Sequence, residues 1–252
     1  LKDNMWGYNR HTDQTVNIYS AFLQNEWKND RWGILIGGRL DKHNMVDNVI
    51  FSPRANLRFN PTQNINLRLS YSSGFRAPQA FDEDMHIENV GGTVAMIERA
   101  KDLKEEKPQS FSVSADMYHR FGAFQTNLLI EGFYTRLTDV FVLGKPYDRG
   151  DGILVKTRSN GPGAKVMGLT LEGKVAYLSI LQIQAGLTLQ RSRYDEPHKW
   201  HDDAPAEKKI FRTPDTYGYF TATCTPIKPL SIALSGTYTG LSLIHISEPT
   251  RH

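Results

Sequence analysis

Apolar and polar residues alternate one for one through most of this chain. From Asn64 to Ser73, Ile65, Leu67, Leu69 and Tyr71 fall on one side, and Asn66, Arg68, Ser70 and Ser72 on the other. Ala55, Leu57 and Phe59 oppose Arg54, Asn56 and Arg58, and Phe111, Val113, Ala115 and Met117 oppose Ser110, Ser112, Ser114 and Asp116. Leu181, Ile183, Ala185, Leu187 and Leu189 face away from Gln182, Gln184, Thr188 and Gln190. Leu230, Ile232, Leu234 and Tyr238 do the same against Ser231, Ser235 and Thr237. A period of two marks strands with unlike faces. The pattern predicts ten strands, near 15–28, 31–42, 51–60, 64–74, 107–120, 123–141, 163–177, 180–193, 209–225 and 229–240.

The links between them alternate in length. Short ones fall at Asn29-Asp30, 60–63, Phe121-Gly122, Leu178-Ser179 and 226–229, and long ones at 43–50, 75–106, 142–162 and 194–208. An up-and-down antiparallel barrel behaves this way, with tight turns on one rim and loops on the other. Several strands exceed the roughly five or six residues usual in soluble sheets and reach the roughly nine to eleven of a tilted membrane strand. Polar faces carrying Arg54, Arg58, Arg68 and Asp116 suit a wet or plugged lumen, and the apolar faces suit lipid. Trp27, Trp32, Tyr71, Tyr118, Tyr134, Tyr177 and Tyr238, near strand ends, are candidates for interfacial girdles. The fold class expected is all-β, an antiparallel transmembrane β-barrel, here partial and open.

Composition narrows the alternatives. At 39% apolar and 23% charged, the 252 residues do not form a disordered tail. The net charge of +3 is scattered without a Lys/Arg stripe, which argues against nucleic acid as a partner. Cys224 is the single cysteine, so no disulfide forms within the chain. No apolar run approaches the roughly 18 residues of a spanning helix, which leaves a barrel open. The chain opens in polar sequence at Leu1, without the charged and apolar regions of a leader. Leu241 to Arg251 resembles the translation of a sequencing-library adapter, so 241–252 are expected to be an appended tail and the protein to be truncated.

Ser52-Pro-Arg-Ala-Asn-Leu-Arg-Phe-Asn-Pro61, followed by Asn64 to Gln79 with its Gly74-Phe75-Arg76-Ala77-Pro78, resembles the barrel of TonB-dependent outer-membrane receptors. The resemblance extends to Gly37-Gly38-Arg39-Leu40-Asp41, Glu131-Gly132-Phe133-Tyr134-Thr135, Lys165-Val166-Met167-Gly168-Leu169-Thr170-Leu171-Glu172 and Phe211-Arg212-Thr213-Pro214. Asp102-Leu103-Lys104-Glu105 matches the signature that begins the family's next strand, with Glu105 where the family has proline. The resemblance covers nearly all of 15–240. It implies a barrel of about 22 strands closed by an N-terminal plug, of which this chain supplies about ten strands and no plug. Residues 1–14 are then the remnant of an extracellular loop. It also implies a protein of the Gram-negative outer membrane, embedded in that membrane's lipids. Such a receptor imports a scarce ligand, a ferric siderophore or cobalamin, and couples through its plug to the TonB–ExbB–ExbD complex.

No nucleophile elbow, phosphate loop or paired metal motif appears, and neither an enzyme nor a cofactor is expected. Outer-loop candidates for ligand contact are Arg76, His86, Arg158, His198, Trp200 and His201. His86 sits in Asp82-Glu-Asp-Met-His-Ile-Glu88, and His198 and His201 in Asp195-Glu-Pro-His-Lys-Trp-His-Asp-Asp203, where solvated charge is the plainer reading and a metal or metal chelate the sharper one. Arg76 reads more simply as fixing a strand end. Gly74, Phe75, Arg76, Pro78, Asp102, Leu103, Gly168 and Glu172 are expected to be structural. Two other classes share parts of the pattern: a porin or adhesin barrel without TonB coupling, and a soluble secreted β-sandwich, which predicts shorter strands.

Overall fold

A computed structural model of the chain describes residues 2–7, 10–78, 95–148, 150, 154–198, 206–210 and 213–242. In chain order the strands are β1 (Lys2–Gly7), β2 (Arg10–Thr15), β3 (Ile18–Lys28), β4 (Trp32–His43), β5 (Val49–Thr62), β6 (Ile65–Ser73), β7 (Ala95–Arg99) and β8 (Lys107–Phe121). They continue as β9 (Phe124–Thr138), β10 (Phe141–Leu143), β11 (Tyr147–Asp148), β12 (Leu154–Asn160), β13 (Ala164–Tyr177), β14 (Leu181–His198), β15 (Glu207–Lys209), β16 (Thr216–Ile227) and β17 (Leu230–Thr239). Among the described residues there is no helix.

Ten of these form one antiparallel sheet in the order β17-β16-β14-β13-β9-β8-β6-β5-β4-β3, with β15 added to β14. Each long strand pairs with the long strands before and after it in the chain, which is the up-and-down meander expected from the alternating links. The sheet is open: β3 and β17 end the path. The turns at 29–31, 63–64, 122–123, 178–180 and 228–229 share one rim, and the longer links share the other. Gly122 and Leu178 take left-handed φ values of 57° and 50° to make two of these turns.

The register aligns like with like. Across the middle of the sheet run Trp27, Ile34, Leu57, Leu69, Val113, Gly132, Leu169 and Leu189, each opposite the next. The row beside it on the other face reads Arg58, Arg68, Ser114, Glu131, Thr170, Thr188, Tyr217 and Thr239. The apolar residues remain exposed, Leu69 at 52% and Val113 at 59% among them, because a single sheet has nothing of its own to cover them. In a barrel wall that face meets lipid and the polar face lines the lumen.

Aromatic residues close the apolar face at both rims. Trp32 stacks on Phe59 at 4.2 Å and Phe124 meets Tyr177 at 4.7 Å near the turns, while Tyr71 meets Phe111 at 4.7 Å toward the loops. Tyr118 departs from the girdle expectation. Its parity puts it on the lumenal face, opposite Asn127, and its hydroxyl donates to Asp116 at 2.7 Å.

Other differences lie at the ends of strands. β5 and β16 run on through Pro61 and Pro226, and each proline lies inside a register shift, between Phe59 and Thr62 and between Cys224 and Ile227. A bulge tolerates a residue that has no N–H to give. The strand expected from 209 begins at Thr216 instead, and 207–209 form the short β15 against β14. Within and just past the stretch 1–14 expected to be a loop remnant, β1 and β2 pair antiparallel. The links 75–106 and 142–162 contain a small second sheet, in which β12 pairs with β10, β11 and, in parallel, with β7.

Candidate functional site

The long links gather on one rim, and loops held by a rigid sheet are where binding residues concentrate. Here β6 ends at Ser73, and the N–H of Gly74 just past it donates to the Pro108 carbonyl at 3.1 Å. Phe75 packs on the small core of Val46, Ile50 and Ala77, and Pro78 is buried. The Gly-Phe-Arg-Ala-Pro segment therefore folds back over the β4–β5 link. Arg76 and Glu106 exchange backbone hydrogen bonds at 2.9 and 3.0 Å, forming an isolated bridge that brings the two ends of a long link together.

Glu106 is central to this rim. Its side chain is 8% exposed, lies 3.5 Å from the Arg76 guanidinium and accepts the Phe141 N–H at 2.5 Å. Arg76 also sits 5.5 Å above the Phe141 ring, a cation–π distance. Asn160 completes the fastening: its side chain accepts from the Lys104 N–H at 2.7 Å and donates to the carbonyls of Lys104 and Asp139. The two links on either side of β8 and β9 are thus held as one body. Asp102 lies in a turn and the Leu103 N–H reaches the Ala100 carbonyl at 3.3 Å. The signature that includes them ends before β8, which begins at Lys107.

Arg158, a candidate contact, lies on β12 opposite Leu143 and Arg99 and is only 2% exposed. Arg99 remains cationic although burial lowers its pKa from the ordinary value. The backbone of His198 ends β14 opposite Glu207; its side chain, with His86, Trp200 and His201, lies outside the described residues. Among the described residues no group of three or more His, Cys, Asp or Glu is placed to hold a metal ion.

The lumenal wall carries a second polar constellation, toward the turns. Glu172 accepts from the Tyr219 hydroxyl at 2.7 Å and from Gln184 at 3.0 Å, and it pairs with Lys174 at 3.1 Å. Asp116 accepts from Tyr118 and Asn127. Gly168 has a packing reason: a Cβ there would stand 2.5 Å from Phe133 Cζ and 2.6 Å from the Leu189 carbonyl oxygen. The partners Gln184 and Tyr219 belong to no motif in the sequence, although parity alone puts both on the face of Glu172. Among the described residues neither place aligns a nucleophile with a base; both are arranged to hold backbone and charge in position.

The fold and this rim define a class: a stretch of wall from a β-barrel with one face for lipid, a polar lumen and a built-up loop rim. The chain belongs to the family described as TonB dependent receptor-like, beta-barrel, which it matches over residues 2–242. That family is one of receptors and not of enzymes. No curated protein matches the chain in sequence. Solved structures similar to it include the siderophore receptor PirA from Pseudomonas aeruginosa (17% identity, 91% of this chain, 42% of that one, TM-score 0.67). The FrpB iron transporter from Neisseria meningitidis is also similar (16%, 90%, 33%, 0.64), as is the alcaligin outer membrane receptor FauA from Bordetella pertussis (15%, 90%, 38%, 0.55). The chain spans less than half the length of each. At these identities the likeness is one of fold.

Proposed function

We propose that the chain is wall and loop rim of a receptor in a Gram-negative outer membrane that imports a ferric siderophore, with energy from the TonB–ExbB–ExbD complex delivered through a plug domain. The observation that carries this reading is family membership across 2–242, with a siderophore receptor, an iron transporter and an alcaligin receptor among the structural neighbours. Those neighbours favour a siderophore over cobalamin as the ligand. Within the rim, Arg76 serves to fasten the links and Arg158 to fill the small sheet. His86, His198, Trp200 and His201 remain the proposed ligand contacts.

The test uses the full-length receptor in cells with and without TonB. Uptake of iron from a panel of ferric siderophores is expected, and it should stop when TonB is removed. Uptake of cobalamin alone would overturn the ligand and leave the receptor class standing. Uptake independent of TonB would overturn the class in favour of a porin. His198→Ala and His201→Ala should each weaken binding of the transported chelate; unchanged affinity in calorimetry would remove them from the site.

A further inference from the structure

The lipid-facing side carries a row of cations that ligand import does not use. Arg136 of β9, Lys165 of β13, Arg193 of β14 and Lys209 of β15 stand side by side across four strands. Arg191 lies one step below, opposite Met167. All share the parity of the apolar belt: along β13 the same face continues as Met167, Leu169 and Leu171 and ends at Tyr177. At about 3.3 Å per residue and a tilt of about 40°, the distance from Lys165 to Tyr177 amounts to roughly 30 Å of height, the hydrocarbon band of about 25 Å plus its edge. The cations therefore sit at headgroup level on the loop side.

Their own partners do not neutralise them. Asp195 lies 3.4 Å from Arg136 and 3.7 Å from Lys165, and Asp215 lies 2.6 Å from Lys209. Arg191 and Arg193 have no side-chain hydrogen bond or ion pair among the described residues. Like charges directly opposite one another on paired strands repel, so the row favours an added anion. Ordinary snorkelling of long side chains accounts for cations at either rim. Here the described strands carry no Lys or Arg on the same face at the turn rim, where Trp32, Phe59, Phe121, Phe124 and Tyr177 stand instead. The asymmetry follows one leaflet.

We propose that this row binds the phosphates of a phosphorylated lipid in the outer leaflet, whose acyl chains lie along Met167, Leu169, Leu171, Leu187 and Leu189. Charge complementarity selects the headgroup, and continuity with the apolar belt selects a lipid over a soluble anion. The proposal rests on the outer-membrane reading of the wall but not on the identity of the imported ligand.

The test is native mass spectrometry of the full-length receptor in detergent, titrated with lipid A bearing two phosphates and with its phosphate-free form. The fourfold variant Arg136→Gln/Lys165→Gln/Arg191→Gln/Arg193→Gln should lose affinity for the phosphorylated lipid by about tenfold or more. Arg191→Lys/Arg193→Lys should retain it. So should Lys42→Gln, an outer-face cation of the same rim whose ammonium is already held by the Val46 and Asp47 carbonyls. If the fourfold variant does not fold, Arg191→Gln/Arg193→Gln decides in its place, since neither side chain has a partner to lose among the described residues. Equal affinity for phosphate-free lipid A, unchanged binding by the glutamine variants, or complete displacement by inorganic phosphate would overturn the proposal. None of these readouts requires siderophore transport, so failure here and failure of the import function are separable.

Discussion

One carboxylate holds two links at Glu106. It is nearly buried, and it takes an N–H from Phe141 as well as facing Arg76. Truncation leaves that amide without an acceptor, a loss of about 1–3 kcal/mol. Glu106→Ala should therefore raise amide hydrogen exchange in β7 and β12, while Glu106→Gln, which keeps an acceptor, should change it less. Equal exchange in both variants and the parent would remove Glu106 as the fastening. Glycines make a second contrast. Gly168→Ala drives a Cβ into Phe133 and the Leu189 backbone, whereas the Gly173 position is open. Overpacking of this kind costs about 1–3 kcal/mol, so urea unfolding of the full-length receptor should shift for Gly168→Ala and stay in place for Gly173→Ala.

Strands show how far the pattern can be read. All ten strands of the main sheet are present near their expected positions, because alternation is a local property and each strand displays it within its own residues. The small second sheet is not legible in the same way. β7 has five residues and β12 seven, and they pair in parallel from two different links. Nearness to a strand end suggests a girdle position for Tyr118, but parity overrides it; Met117 and His119 are the lipid-side residues there. Of the site, Arg76 is visible within a motif, but Glu106 lies just past the Asp102 to Glu105 signature, and Phe141 and Asn160 come from another stretch of chain and carry no local signal. The two faces differ in what they tolerate. Arginine at a lipid-facing midplane position costs about 2–4 kcal/mol, so Leu169→Arg should destabilise the receptor in vesicles by that order and Thr170→Arg by far less. Equal losses would mean that the faces are alike.

At the scale of the molecule the open edges matter. β3 and β17 each have one partner in the sheet, and unpaired backbone N–H and C=O groups are costly in hydrocarbon. The 252-residue chain expressed by itself should accordingly fail to insert into vesicles as a heat-resistant, folded band on electrophoresis, while the full-length receptor should give one. A chain that inserted alone would have to close its own edges, and β3 and β17 would then have partners beyond β4 and β16.

The central claim is that this sheet is a barrel wall with odd-numbered residues of β13 toward lipid and even-numbered ones toward a polar lumen. Spin labels placed one at a time from Val166 to Ala176 in the full-length receptor, reconstituted in bilayers, test it directly. Collision rates with oxygen should be high at Met167, Leu169, Leu171, Gly173 and Val175 and low at the positions between, with a water-soluble nickel chelate showing no preference for the odd set. The same rates at odd and even positions, or preferential access of the chelate to the odd set, would contradict it.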